Sequence, residues 1–376
     1  MTESNIQLTS TISEDNKLTL ALRNIDMPQP GVDEVVIRVE AAPLNPSDLA
    51  VLFSAADMTT AAQSGSELNS IITADVPPQF MPAVKARVGK ATPVGNEGAG
   101  TVIAAGSSAA AQALMGKTVA VIGGGTYRQY ICANVRSCLE LKPGTTAKEG
   151  ASSFVNPLTA LAMVATMRAE GHKAIIHAAA ASNLGQMLNR ICIADGIDLI
   201  NIVRKTEQET LLRDMGAKYV VNSSSDTFLA DLTAAIIETG ATIAFDPIGG
   251  GKLTSDILNC MEVAAARDME EHSVYGSDTF KQVYIYGALN RGPITLNRNF
   301  GFAWGVNGFL LFNALGKLGT ETVVAMRKRV ADEITTTFAS HYTHEVTLAE
   351  VLNLKSIAGY AKQATGEKYL ITPQRQ

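Results

Sequence analysis

Two rhythms of apolar and polar positions divide this chain of 376 residues. Up to about residue 150 the apolar runs are short and bounded by turn residues. Val35-Val36-Ile37-Arg38-Val39 follows a Pro30-Gly31 turn, and Lys117-Thr118-Val119-Ala120-Val121-Ile122 ends at Gly123-Gly124-Gly125, so this part reads as β-rich. Between them, residues 55–90 are polar and rich in Ala, Ser and Thr, with Pro77-Pro78 and Pro82, which reads as a long loop with one short helix. From about residue 154 strand-like runs at 174–178, 199–203, 218–221, 242–245 and 283–286 alternate with helical stretches at 184–194, 206–215, 226–239 and after Gly251. That alternation predicts βαβ units and a parallel sheet, and the near-continuous apolar strands predict helices on both of its faces. The charged segment 262–281, with Glu270, Glu271 and Asp278, interrupts the rhythm and reads as an inserted surface excursion. No solenoid-type repeat is present.

Length and composition narrow the class. The chain exceeds what one core usually supports, which predicts two domains, and 46% hydrophobic with 18% charged residues describes a compact globular protein. A net charge of −5 gives no electrostatic reason to expect nucleic acid or a membrane surface as partner, and no apolar run approaches the roughly 20 residues that span a bilayer. The opening Met1-Thr2-Glu3-Ser4-Asn5 lacks the basic-then-apolar layout of a secretory signal. Cys132, Cys138, Cys192 and Cys260 are too scattered for a disulfide framework and read as ordinary buried thiols, so a cytoplasmic location is expected. His172, His177, His272, His341 and His344 form no helical ligand pair, and no metal site is expected.

Two glycine-bearing segments carry candidate chemistry. Gly95-Asn96-Glu97-Gly98-Ala99-Gly100-Thr101-Val102, closing at Gly106, puts a carboxylate among positions where backbones pass closely. In the second half, the strand ending near Ala178 runs into Ala179-Ala180-Ala181-Ser182-Asn183-Leu184-Gly185-Gln186 and then a helix. Small residues at such a turn let the backbone approach a pyrophosphate at a helix N-terminus, so Ala180, Ser182, Asn183, Leu184 and Gly185 are candidate dinucleotide contacts; packing of alanines against the sheet is the plain alternative. Nineteen residues past Gly185 the next strand ends in Val203-Arg204-Lys205. Two cations and no carboxylate there favour the 2′-phosphate of NADPH over the bare ribose of NADH, unless both are merely solvated.

Asn45-Pro46-Ser47-Asp48, the Gly95–Gly106 stretch, Asn156-Pro157-Leu158-Thr159-Ala160, Asp246-Pro247-Ile248-Gly249-Gly250 and Tyr286-Gly287-Ala288-Leu289 stand in the order in which the medium-chain dehydrogenase/reductase superfamily carries its motifs. The chain resembles that superfamily over nearly its whole length. The resemblance implies an α/β protein in which a Rossmann domain, a doubly wound parallel sheet, is inserted in a GroES-like β-rich catalytic domain. The expected boundaries are 1–152 for the N-terminal part of the catalytic domain, 153–318 for the NADPH-binding domain and 319–376 for the return, with Ala364–Leu370 as the last strand. Zinc alcohol dehydrogenases of the superfamily have Gly-His-Glu where this chain has Gly95-Asn96-Glu97, an earlier cysteine where it has Asn45-Pro46-Ser47-Asp48, and a four-cysteine lobe that it lacks. It therefore looks like the zinc-independent branch of quinone oxidoreductases and enoyl thioester reductases. In that branch hydride passes from NADPH to the β-carbon of a conjugated carbonyl, and hydrogen-bond donors carry the charge that zinc would take.

The resemblance and the local chemistry name further residues. Asn45 is a candidate polar group of the active site, or else a turn residue before Pro46, and Asp48 is expected to cap the following helix. The run Leu49–Ser54 contains no tyrosine, where enoyl thioester reductases usually carry a proton donor. Tyr127 is a candidate to line the site, or a packing residue. Glu97 is expected to hold the domain core by hydrogen bonding rather than act as a base. Thr159, Gly287, Ala288 and Leu289 are expected near the nicotinamide. A homodimer is implied, through the segment 300–318, where Phe300–Trp304 and Phe309–Phe312 could form an interface or substrate wall if they are not simply buried. The reading is a zinc-independent NADPH-dependent reductase of quinones or other α,β-unsaturated carbonyls; the alternatives are an enoyl thioester reductase and a low-turnover NADPH-binding protein with a structural or regulatory role.

Overall fold

The computed structural model describes residues 5–267, 269–271 and 273–375; residues 1–4 and His272 of the sequence reading lie outside the described residues. The chain divides into two compact units, one made of 1–155 with 327–376 and the other of 156–326.

The strands of the first unit are β1 (Asn5–Ile12), β2 (Lys17–Ile25), β3 (Glu34–Pro43), β4 (Asp57–Ser64), β5 (Ile71–Asp75), β6 (Thr92–Pro93), β7 (Glu97–Ala105), β8 (Thr118–Ile122), β9 (Tyr130–Asn134) and β10 (Cys138–Glu140). After the second unit's strands β11 to β18, this unit closes with β19 (His344–Val346) and β20 (Tyr369–Ile371). One sheet runs β4-β5-β2-β1-β6, and the other runs β10-β8-β7-β3-β20-β19 with β9 also on β3. Leu8, Ile12, Leu18, Leu20, Val35, Ile37 and Val39 are fully buried in a common core. Glycine at 100 is a steric requirement of the β3–β7 pairing, because a Cβ there would stand 1.9 Å from the Arg38 carbonyl oxygen. The span read as a long loop contains β4, β5 and short helical turns. Its β-branched Ile71-Ile72-Thr73 pairs with β2, setting Ile72 and Ala74 opposite Leu20 and Leu18, while polar β4 forms the sheet edge.

In the second unit the strands are β11 (Ile175–His177), β12 (Leu199–Val203), β13 (Tyr219–Asn222), β14 (Ile243–Asp246), β15 (Gly249–Gly251), β16 (Lys281–Ile285), β17 (Asn290–Ile294) and β18 (Trp304–Gly308). Six of them form one all-parallel sheet in the order β13-β12-β11-β14-β16-β18, the 3-2-1-4-5-6 order of a dinucleotide-binding fold. Every residue of β11, β12 and β14 is buried, as a sheet covered on both faces requires. The connecting helices are Asn183–Asp195, Thr206–Asp214, Phe228–Thr239 and Leu253–Ala266. The pair β15–β17 and the edge strand β18 are absent from the sequence reading, because Gly249-Gly250-Gly251 and Trp304-Gly305-Val306-Asn307-Gly308 carry little strand signal.

The segment read as a surface excursion begins inside helix Leu253–Ala266 and is anchored by buried charge. Glu262 accepts from the Ser277 N–H and hydroxyl, both at 2.7 Å, and from Lys281 Nζ at 2.5 Å. The Lys281 side chain has no solvent exposure. Glu262→Ala strands this ammonium and is expected to cost about 3–5 kcal/mol in urea unfolding, while Glu262→Leu/Lys281→Met loses much less. Equal losses in the single and double variants would show that the pair does not carry the anchoring.

Candidate functional site

In a parallel sheet every strand delivers its carboxyl end to the same edge, and here that edge collects most of the expected cofactor residues. The backbone leaves β11 through Ala178, whose N–H donates to the Phe245 carbonyl, and Ala180, whose N–H donates to that of Ile202. Ala179 takes a positive φ of 49°, turning the chain toward the helix. Ser182 caps helix Asn183–Asp195, its hydroxyl accepting from the Gly185 N–H at 3.2 Å. Gly185 has no room for a side chain, since a Cβ would lie 2.1 Å from the Ala180 carbonyl oxygen. Ala180, Leu184 and Gly185 are buried, whereas Ser182 and Asn183 are half-buried. One strand over, β12 ends directly in exposed Arg204 and Lys205. Beyond β16 the chain passes through Gly287, where a Cβ would meet the Pro247 carbonyl at 2.5 Å, and on to exposed Ala288 and Leu289. Thr159 is buried in helix Val155–Ala169, which precedes β11. The strand order reverses between β11 and β14, the switch point where ligands bind in open α/β sheets.

The same edge holds a pair that periodicity does not reveal. His177, the last residue of β11, shares a 2.8 Å hydrogen bond through Nε2 with the Tyr286 hydroxyl, and their rings stack with centroids 5.9 Å apart. Burial pushes the imidazole down to about 3, so it is neutral. At the end of β14, Asp246 accepts from the Ile248 N–H and the Thr254 hydroxyl. The sequence signal for the His177–Tyr286 pair was positional: a histidine and a tyrosine each immediately precede a small-residue turn.

In the first unit the glycine-rich stretch surrounds a buried polar cluster. Gly95 has φ 99°, and a Cβ there would lie 2.5 Å from the side chains of Thr126 and Tyr127. Glu97, with no exposure, accepts Asn45 Nδ2 on one oxygen at 2.8 Å; the other takes the N–H groups of Phe154 and Val155 at 2.8 and 3.0 Å. Asn45 is the N-cap of helix Pro46–Leu52 in a reciprocal capping box with Asp48, whose carboxylate accepts the Asn45 N–H at 2.7 Å. The other Asp48 oxygen takes the Asn96 N–H at 2.8 Å, and the Asn96 amide donates to the Ser47 hydroxyl at 3.1 Å.

These contacts bear on the two candidate catalytic residues. Asn45 is 1% exposed and its amide is engaged with Glu97 and the helix start, which gives it a scaffold role besides any contact it makes to a ligand. Tyr127 is fully buried and its single phenolic proton goes to the Pro43 carbonyl at 3.0 Å. Burial, with the Asp48 charge beside it, holds that phenol well above its usual range. The structure therefore corrects the site-lining role weighed for Tyr127 in favour of packing. Glu97 acts through hydrogen bonds, as its setting among glycines led one to expect. All four cysteines are free, three of them buried and Cys132 half-buried. Among the described residues no group of three or more His, Cys, Asp or Glu side chains could hold a metal ion.

No family model matches the chain. It is 26% identical over 285 residues to the mitochondrial enoyl-[acyl-carrier-protein] reductase of Xenopus tropicalis, covering 74% of this chain and 68% of that one. It is 25% identical over 287 residues to the mouse enzyme of that name, covering 75% of this chain and 65% of the relative. The chain thus spans about two thirds of the length of these curated relatives. Among solved structures it superposes on a Mesorhizobium loti protein assigned by inference as an NADPH:quinone reductase, with a TM-score of 0.73, 26% identity and 99% of both chains covered. A mutant enoyl thioester reductase of Candida tropicalis shares the fold, with a TM-score of 0.66 at 19% identity, covering 99% of this chain and 100% of that one. These relatives and structural neighbours, enoyl reductases and NADPH:quinone reductases, are of the zinc-independent branch of the medium-chain dehydrogenase/reductase superfamily. The fold of the chain is the expected pairing of a Rossmann unit with a GroES-like β-rich unit.

Gly185→Ala should force the Ala180–Gly185 turn open. Dinucleotide affinity, followed by fluorescence titration, is expected to fall at least about tenfold, or 1.4 kcal/mol. Unchanged affinity would show that the turn does not approach the ligand.

Proposed function

We propose that this protein is a zinc-independent, NADPH-dependent reductase that delivers hydride to a quinone or another α,β-unsaturated carbonyl. The observation that carries the reading is the carboxyl edge of the parallel sheet, where a turn closed to side chains, two exposed cations and a second close-approach glycine stand together at the strand switch point. Kinship with quinone and enoyl reductases supports it. NADPH, when bound, supplies the hydride. In this reading the backbone at the start of helix Asn183–Asp195 faces the pyrophosphate, with Ala180, Ser182, Asn183, Leu184 and Gly185 forming the turn. Arg204 and Lys205 pair with the 2′-phosphate, and Gly287, Ala288, Leu289 and Thr159 border the nicotinamide. The His177–Tyr286 pair braces the two small-residue turns against each other.

An enoyl thioester substrate is the second reading, favoured by the names of the curated relatives. The absence of a tyrosine in Leu49–Ser54 weighs against it, and quinones need no such donor because their reduced oxygens are protonated from water. The proposal includes a homodimer. Strand β18 is an edge of its sheet, and Phe302, Leu310 and Phe312 near it are 73%, 59% and 63% exposed, which gives a second copy an unpaired strand and apolar surface to cover. It also includes a cytoplasmic location, supported by four free thiols. Among the described residues no helix is long and apolar enough to cross a membrane.

The test is NADPH oxidation with 1,4-benzoquinone, 9,10-phenanthrenequinone and crotonyl-CoA. Turnover is expected with the quinones, crotonyl-CoA as the best acceptor would select the second reading, and inactivity with all three would overturn both. Arg204→Ala/Lys205→Ala should weaken NADPH binding by about tenfold to a hundredfold and leave NADH binding unchanged. Equal losses for the two cofactors would contradict the assignment of the 2′-phosphate.

A further inference from the structure

The bond between His177 and Tyr286 reaches across a strand. His177 ends β11, Tyr286 follows β16, and β14 lies between those two strands. The register sets His177 beside Phe245 and Phe245 beside Tyr284, so the three share one face of the sheet. Two strand spacings, about 10 Å, separate β11 from β16. A histidine and a tyrosine close that gap together, which puts the 2.8 Å contact of Nε2 with the phenol oxygen over the end of β14. The backbone fixes both ends. Ala178 N–H donates to the Phe245 carbonyl at 3.1 Å, and Tyr286 N–H donates to the Asp246 carbonyl at 3.0 Å. The contact therefore lies at the carboxyl end of a strand that flanks the switch point, where open α/β sheets take their ligands.

Counting protons shows what the pair leaves over. The neutral imidazole carries one N–H and the phenol one O–H, so two donors share a single bond. Tyr286 stays protonated, since the protein packed around it and then the Asp246 charge hold it well above the usual phenol range. A phenol donating to Nε2 would leave the ring N–H at Nδ1. That atom belongs to a side chain with no exposure and has no hydrogen-bond partner. An N–H sealed there would lose its bond to water and gain nothing. The opposite arrangement protonates Nε2, which donates to the phenol oxygen, and leaves only a lone pair at Nδ1. The donor left over is then the Tyr286 O–H. Tyr286 is half-buried, and among the described residues nothing else takes its proton.

We propose that Tyr286 donates its hydroxyl hydrogen bond to a neutral carbonyl oxygen of the ligand at this edge, and that His177 is the positioning residue that aims it. Accepting from Nε2–H polarises the phenol and makes it a better donor. Asp246, whose carbonyl takes the Tyr286 N–H, sets a carboxylate close by, which disfavours a phosphate and leaves a neutral acceptor. Two oxygens have this chemistry: that of the nicotinamide carboxamide and that of the conjugated acceptor. On the acceptor the bond would strengthen as negative charge gathers on the oxygen during hydride transfer. The ligand in this proposal rests on the reductase reading; the tautomer of His177 does not.

The experiment reads the tautomer first. The full chain is labelled with 15N in its histidine rings and followed by long-range 1H–15N correlation, the His177 signals being those lost in His177→Gln. A ring protonated at Nε2 and bare at Nδ1 is expected. Tyr286→Phe keeps the stacked ring and removes the hydroxyl. It is compared with the unmodified chain for NADPH affinity, and for kcat and KM with 9,10-phenanthrenequinone and crotonyl-CoA. A loss of about threefold to tenfold is expected. Loss of NADPH affinity identifies the carboxamide; loss of kcat/KM for the acceptor at unchanged NADPH affinity identifies the acceptor carbonyl. His177→Leu should show the same loss, and His177→Gln, whose amide can donate to the phenol oxygen, should recover most of it. A merely space-filling histidine would give no such recovery. A ring protonated at Nδ1, or a Tyr286→Phe chain with NADPH affinity, kcat and KM all unchanged, would overturn the proposal. Should Tyr286→Phe fail to fold, the tautomer in the unmodified chain decides. Absence of NADPH oxidation by the unmodified chain would instead sink the reductase reading and leave the tautomer and NADPH affinity to judge the pair.

Discussion

A carboxylate without solvent must find donors, and the way Glu97 finds them organises the first unit. Its two oxygens take three N–H groups, from Asn45, Phe154 and Val155, contributed by segments more than fifty residues away on either side. Each donor has its own reason to be there. Asn45 is fixed because it starts a short helix, with Asp48 returning a carboxylate to its N–H. Phe154 and Val155 stand at the start of helix Val155–Ala169, whose first N–H groups have no partner within the helix. Glycines at 95, 98 and 100 let the neighbouring backbones close around the carboxylate. Removing any one donor would leave part of a buried charge unsatisfied, so glycine spacing, capping box and helix start depend on one another.

The second unit rests on a different constraint. A parallel sheet sends all its strands' carboxyl ends to one edge, and the residues just past each strand decide what that edge can bind. Small residues after β11, cations after β12 and a close-approach glycine after β16 come from stretches more than eighty residues apart at the extremes, yet topology makes them neighbours. The imidazole of His177 is neutral for want of water, and its bond to Tyr286 ties two of those turns together.

Much of this was legible in the residues. The alternation from Ile175 to Ile285 gave nearly every strand and helix of the sheet, because strands buried on both faces leave unbroken apolar runs. The strand-to-helix turn after β11 was legible through Gly185, whose neighbours admit no Cβ. What escaped was pairing over long distances. Ile71-Ile72-Thr73 looked like part of a polar loop until β2 supplied a partner, and Trp304-Gly305-Val306-Asn307-Gly308 became a strand only beside β16. Tyr127 could not be told from a site residue by its neighbours in sequence, since the partner of its hydroxyl, the Pro43 carbonyl, lies 84 residues away. Lys368 was visible only as part of a closing strand. Its buried ammonium, without a hydrogen-bond partner, is a property of the folded core, which no local pattern encodes.

The central claim is that this chain moves hydride from NADPH to a conjugated carbonyl without zinc, and isotope transfer tests it most directly. NADPH deuterated at the nicotinamide C4 would be turned over with an α,β-unsaturated thioester such as crotonyl-CoA and with a quinone, in the presence and absence of a zinc chelator. The account predicts that deuterium from one C4 face appears at the β-carbon of the reduced conjugated carbonyl, and that both rates are indifferent to the chelator. Deuterium lost to water with the conjugated C=C acceptor, or turnover with either acceptor abolished by the chelator and restored by zinc, would contradict it.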